Sequence, residues 1–310
     1  MPAIPPPPAR DATIPALRNL AIRSRVMQAC REFFAAAGFI EVETPVRIPT
    51  PAPELHIDAP TAGRAWLRTS PELHMKRLLA AGASRIYQIG PCFREAERGA
   101  RHNPEFTLLE WYRTPAGHLD MLLDCEALVR HVVRRLAGGD TFVYRGETID
   151  VMAPWVKLTM REAFLAHAGW DPVAAYDADR FDCDLVARVE PALPADRPCV
   201  LLDYPAQAAA LARLKPDDPA VAERWELYIG GLELANAYGE LTDAVIQRAR
   251  FEACNADRRL AGRAAYPLDE LFLAALAGGL PPCGGIALGV DRLAMLLCDA
   301  HTIDEVRPFC

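Results

Sequence analysis

The chain has 310 residues, 51% of them hydrophobic and 24% charged, the balance of a globular protein and not of a disordered or fibrous one. No apolar run approaches the roughly 20 residues of a membrane-spanning helix, and the start MPAIPPPPAR lacks the apolar centre of a signal peptide, so a cytoplasmic chain without a membrane partner is expected. A net charge of −7 excludes bulk attraction to DNA or RNA while leaving a local basic patch open, and nine scattered cysteines without zinc spacing argue for reduced thiols.

Residues 1–15 carry six prolines and few large apolar groups, and are expected to form a flexible arm. From Ala16 to Ala37 apolar residues recur near helical spacing until Gly38, and FIEVETP reads as a strand closed by Pro45. Ser70 before Pro71 predicts a capped helix running to Gly82. Strands are expected at Arg85–Ile89, Pro91–Glu95 and Phe106–Arg113, the last two flanking the polar loop AERGARHNPE. Residues 119–214 mix helical and strand patterns and read as a lateral insertion or cover, or as segments that only complete the core. ERWELYI and LELANAY, joined by Gly230-Gly231, predict a hairpin. Helices at about Thr242–Ala261 and Leu268–Ala277 follow, then the strand IAL and a helix from Val290. Tightly turned strands with helices grouped between them predict an α+β fold: an antiparallel sheet flanked by helices.

The densest chemical signal is FREAERGARHNPEFTLLEWYR, residues 93–113. Arginines, a histidine, aromatic side chains and carboxylates around one hairpin suit a nucleotide: Arg94 can grip phosphate, and Phe106 can offer its face to adenine. Singly, each has a commoner explanation as an ion pair or as core. The ordered set carries more weight. Residues 20–45, 94–113 and GIALGVDRLAML at 285–296 resemble motifs 1, 2 and 3 of the class II aminoacyl-tRNA synthetases. SPELHMKRLL, RHNPEF and GLELANAYGELTD resemble the lysine-specific branch, so the likeness runs from about residue 17 onward.

Within that branch the sequence looks less like the full synthetases than like their truncated paralogues, ligases that attach (R)-β-lysine to a lysine of elongation factor P. Only about 16 residues precede motif 1, too few for the anticodon-binding OB domain of the full enzymes. Ser70, Ala287 and the tryptophan of LLEWYR also follow the paralogue pattern. The resemblance therefore implies one catalytic domain over 16–310, ATP and Mg2+ as cofactors, elongation factor P as protein substrate, (R)-β-lysine or lysine as amino acid, and a homodimer built on motif 1. DNA and tRNA are not expected as partners.

The resemblance also implies roles by position. Ser70, Glu72, Glu110, Tyr112, Asn236, Glu240 and Ala287 would line the amino-acid pocket. Arg94 and Arg292 would be the catalytic phosphate arginines. Glu95, His102, Asn103, Phe106, Glu233, Leu234 and Gly289 would join them around ATP, and Glu226 and Glu233 would hold magnesium. Clustered carboxylates repel one another unless a cation enters, and a substrate with two amino groups is the natural counter-charge. One departure stands out: the family's F-R-N-E reads Phe93-Arg94-Glu95-Ala96, so the carboxylate expected at 96 is missing. That departure keeps open a synthetase-like protein that binds without turnover, beside a minimal lysyl-tRNA synthetase.

Overall fold

The computed structural model describes residues 15–309, so the expected arm at 1–15 lies, apart from Pro15, outside the described residues. In chain order the elements are α1 (Leu17–Ala36), β1 (Ile40–Glu41), β2 (Arg47–Ile48), β3 (Thr61–Ala62), β4 (Ala65–Leu67), α2 (Glu72–Ala80), β5 (Arg85–Phe93), β6 (Glu105–Arg113) and α3 (His118–Ala137). Then come β7 (Thr141–Tyr144), β8 (Glu147–Asp150), β9 (Val156–Thr159), α4 (Met160–His167), α5 (Ala178–Asp184), β10 (Cys199–Pro205), β11 (Val221–Ile229) and β12 (Leu232–Gly239). The chain closes with α6 (Ala244–Leu260), α7 (Glu270–Ala277), β13 (Gly284–Gly289) and α8 (Val290–Cys298).

Eight strands form one sheet in the order β1-β5-β6-β13-β12-β11-β10-β9. The six inner strands pair antiparallel, as expected, while β1 on β5 and β9 on β10 are parallel. Side chains alternate across a strand, so β6 turns Leu109 and Trp111 to one face and Glu110 and Tyr112 to the other. On the first face α1, α3 and α8 build the main core: Phe34 stacks on Tyr87 at 4.5 Å between ring centres and leans on Trp111 at 5.2 Å. On the second face α2, α6 and α7 pack through Leu73, Leu79, Phe251 and Phe272. The functional side chains described below stand on that second face.

Three expectations need correction. The two strands expected on either side of Gly90 are one, β5. Pro91 is tolerated because its carbonyl accepts from Arg68 Nε at 2.9 Å, placing the proline's donor-less nitrogen on the edge away from β6. FIEVETP yields only the two-residue β1. Residues 119–214 are no lateral cover: α3 inserts Met121, Cys125, Leu128 and Val132 into the main core, and β9 and β10 extend the central sheet. The buried residues of α3 recur at helical spacing, which marks an apolar face but does not say whether that face packs on the central sheet or on a peripheral layer.

The hairpin between β11 and β12 turns on Gly230 (φ +57°) and Gly231 (φ +73°), the two left-handed positions of a tight turn. A Cβ at Gly230 would also lie 2.8 Å from the Tyr144 ring. Gly230→Ala is expected to lower stability by about 2–4 kcal/mol, through backbone strain plus overpacking, read as an earlier denaturation midpoint. No described helix is long and apolar enough to cross a membrane.

Candidate active site

Register builds the site. Glu226, Asn236, Ala287 and Glu110 are successive cross-strand partners on β11, β12, β13 and β6, so four side chains form one row across the second face. Two residues along, Arg224, Tyr238, Gly285 and Tyr112 make a parallel row. Together they floor a cavity of about 420 Å³, walled by α2, the β5–β6 loop and the start of α8. Gly285 supplies the room, since a Cβ there would fall 2.1 Å from Glu240 Oε1 and 2.2 Å from the Tyr112 ring.

One end is acidic. Glu110, 1% exposed, accepts from Ser70 Oγ at 2.6 Å and from Tyr112 OH at 2.9 Å. Glu72 begins α2, its backbone N–H donating to Ser70 Oγ at 2.9 Å, and Glu240 follows β12. Lys76 Nζ, one turn along α2 and behind the cavity wall, meets both Glu72 and Glu240. Asn236 donates to Tyr238 OH at 3.2 Å, and its buried Oδ1 has no hydrogen-bond partner among the described residues. Burial, and then the Glu72 charge, push the Glu110 carboxyl up to about 7 against the hydrogen bonds from Ser70 and Tyr112. Burial likewise pushes Glu240 up, with Lys76 pulling the other way.

The other end is cationic. The Arg94 guanidinium lies 5.1 Å from the Phe106 ring centre, and its Nε is buried without a partner among the described residues. Arg292, in the first turn of α8, donates to the Glu233 carbonyl at 2.7 Å, to Glu233 Oε2 at 3.2 Å and to His102 Nε2 at 2.7 Å. Burial and then Arg292 push His102 down, which keeps it a neutral acceptor for that bond. Asp291 fastens α8 to the neighbouring elements by accepting from Thr107 N at 2.7 Å and from Arg23 of α1. Asn103 donates to the Glu105 carbonyl at 2.7 Å and so braces the loop ahead of Phe106. Glu226 is held by Arg224 at 2.7 Å and by Tyr228 OH at 2.8 Å, and its charge opposes that of Glu233 in the same cavity.

Ser70, Glu72, Arg94, His102, Asn103, Phe106, Glu110 and Tyr112 all line this one cavity. So do Glu226, Glu233, Leu234, Asn236, Glu240, Ala287, Gly289 and Arg292, although these come from segments far apart in sequence. Glu95 does not. Its backbone N–H is tied to the Asp58 carbonyl at 2.7 Å and its side chain is exposed. The next residue, Ala96, lies in the turn after β5 with φ +61°, and Glu97 beyond it lines the cavity, its carboxylate 3.6 Å from Arg94 Nη1. Sequence reasoning missed Glu97, Arg224, Tyr238 and Glu54. Spacing could have found the middle two, which stand two residues from Glu226 and Asn236 on the same strand face. Glu54 lies in an irregular segment whose carbonyls at 54 and 57 are gripped by the buried Arg258, and no local pattern signals it.

A cavity with a carboxylate-rich end and a two-arginine end, assembled from the second and third of the ordered motifs together with β11, β12 and the start of α2, is the arrangement expected of a class II synthetase core. The family described as tRNA synthetases class II (D, K and N) matches residues 14–310. The chain belongs to that family. Among relatives of this class II family, the chain is similar to elongation factor P–(R)-β-lysine ligase of Hamiltonella defensa, 38% identical over 94% of this chain and 95% of the relative. It is also similar to the protein of that name in Vibrio cholerae, 38% identical with the same coverage. Lysine–tRNA ligase of Dehalococcoides mccartyi is 38% identical over 92% of this chain and 62% of its own length.

Proposed function

We propose that this chain is an ATP-dependent, AMP-forming ligase that activates (R)-β-lysine or lysine as an adenylate and transfers the acyl group to the ε-amino group of a lysine on elongation factor P. The carrying observation is the division of one cavity into an acidic end that can neutralise two ammonium groups and a cationic end that can take phosphates. The relatives matched over nearly their whole length, and named for that reaction, support it.

The chemistry needs no protein nucleophile. The amino-acid carboxylate attacks the α-phosphorus of ATP; the new carboxyl–phosphorus bond forms as the α–β anhydride bond breaks, and pyrophosphate leaves. Glu72, Glu110 and Glu240 hold the amino groups, which aims the carboxylate at Arg94. Arg94 stabilises charge developing on the α-phosphate, Arg292 grips the distal phosphates, and Phe106 stacks the adenine. The acceptor amine then attacks the acyl carbon, losing a proton as AMP departs. Glu226 and Glu233, two like-charged groups facing one cavity, fit a magnesium ion and would hold it there, where it would offset phosphate charge. The proposal places the reaction in the cytoplasm, in a homodimer joined through α1 and β1, where Leu17 and Ile40 stand exposed.

Glu110 makes amino-acid binding pH-dependent. A protonated carboxyl cannot neutralise an ammonium group, so affinity for lysine is expected to strengthen at least about tenfold from pH 6 to pH 8, and Glu110→Gln should make the profile shallower in calorimetric titration, leaving the part that Glu240 contributes. The stability sign is the reverse of a salt-bridged carboxylate's. Because the folded group holds its proton to about 7 and the unfolded one releases it near 4, the empty fold loses stability across that window as pH rises.

The decisive assay is intact-mass spectrometry of elongation factor P after incubation with this enzyme, ATP, magnesium and either amino acid, with acid-gel analysis of tRNA in parallel. A lysyl or β-lysyl mass gain on the factor with uncharged tRNA supports the proposal. Charged tRNA with an unmodified factor replaces it with a minimal lysyl-tRNA synthetase, and no product on either acceptor sinks both.

A further inference from the structure

Lys76 takes no part in the reaction described above. Its side chain is 0% exposed and does not line the cavity. Its Nζ nevertheless lies 2.5 Å from Glu72 Oε1 and 2.5 Å from Glu240 Oε2, and both of those carboxylates do line it. A buried ammonium is costly unless paired, and two flanking carboxylates without it would repel each other. With Glu110, the acidic end holds three carboxylates against this one ammonium. When they are ionised the carboxylates outnumber the ammonium, and the ammonium groups of a bound amino acid would offset the excess.

We infer that Lys76 is a positioning and specificity-determining residue: a built-in counter-ion behind the wall that bridges Glu72 and Glu240, holds both carboxyl groups aimed into the cavity, and tunes the acidic end toward a substrate with two ammonium groups. The inference rests on the reading that the acidic end receives the amino groups. The titratable and charged groups facing this cluster are Glu72 of α2, Glu240 after β12, Glu110 and Tyr112 of β6, and Cys283 before β13. Arg68 ahead of α2 and Arg213 ahead of β11 lie further out. Burial would push Lys76 down, but Glu240 and Glu72 outweigh it and push it up, so it stays charged.

The test is calorimetric binding of lysine and (R)-β-lysine across pH 6 to 9 to the wild-type chain, K76M and K76R, with ATP binding alone as the measure of an intact site. Removing a cation in contact with two carboxylates raises their proton affinity. K76M is therefore expected to move the midpoint of the affinity–pH profile up by about one unit and to weaken binding about tenfold at neutral pH, with ATP affinity kept. K76R keeps the charge and should hold the midpoint near the wild type even where its size weakens binding. If K76M loses ATP binding as well, K76Q is read on the same scale with the same expectation. An unmoved midpoint in the neutral variants, or a shift in K76R equal to that in K76M, overturns the inference. Failure of the wild type to bind either amino acid defeats the functional reading beneath it.

Discussion

Arg94→Ala is expected to lower the rate of adenylate formation about 10²–10³-fold, measured as pyrophosphate release, with a much smaller change in the affinity for lysine. The guanidinium sits at the end of β5, over the Phe106 ring at 5.1 Å, where one side chain can both cover the stacking platform and reach a phosphate. Its buried Nε lacks a partner among the described residues, and Glu97 lies 3.6 Å from Nη1, so its donors are incompletely used in the empty cavity. An interaction completed only as charge builds on phosphorus lowers the barrier more than it strengthens substrate binding. Arg94→Lys restores charge without the planar fork and should recover only part of the rate. A rate within a few-fold of wild type for Arg94→Ala would mean that Arg94 does not face the reacting phosphate.

The second large effect is expected at the opposite end of the cavity. Glu110→Ala should weaken binding of lysine or (R)-β-lysine by about two to three orders of magnitude, the result of leaving a buried ammonium without its carboxylate. Ser70 and Tyr112 both donate to Glu110, at 2.6 and 2.9 Å, so its removal also strands two donors around the same point. ATP affinity should be unchanged, because Glu110 stands in the cross-strand row away from Arg94 and Arg292. Equal losses of ATP and amino-acid binding would instead point to a collapsed sheet.

The two effects separate because β6 carries the acidic site on its outer half while the β5–β6 loop carries the cationic one. The link between them is the sheet itself. Gly285 lets Tyr112 and Glu240 occupy the same level, and Asp291 ties the Thr107 backbone to the helix that bears Arg292.

Much of this was legible in the chain before folding. The helix ending at Gly38, the hairpin on Gly230-Gly231, the cap at Ser70 and the predominantly antiparallel sheet follow from local rules, because turn chemistry and side-chain period act over a few residues. The ordered motifs likewise pointed to sixteen side chains that line one cavity, from Ser70 to Arg292. Tertiary structure decided what depends on distant partners. Whether Pro91 ends a strand rests on which edge is already paired, and whether α3 is core or cover rests on what packs against it. The turn at Glu95–Ala96, with Glu95 N held by the Asp58 carbonyl and Ala96 at positive φ, leaves Glu95 exposed and Glu97 on the cavity, an outcome set by a partner 37 positions away. The pairing of Lys76 with Glu240, across 164 positions of sequence, is of the same kind. A local pattern can mark a carboxylate as functional, but only the folded register sets which cation it meets, how deeply it is buried and therefore when it gives up its proton.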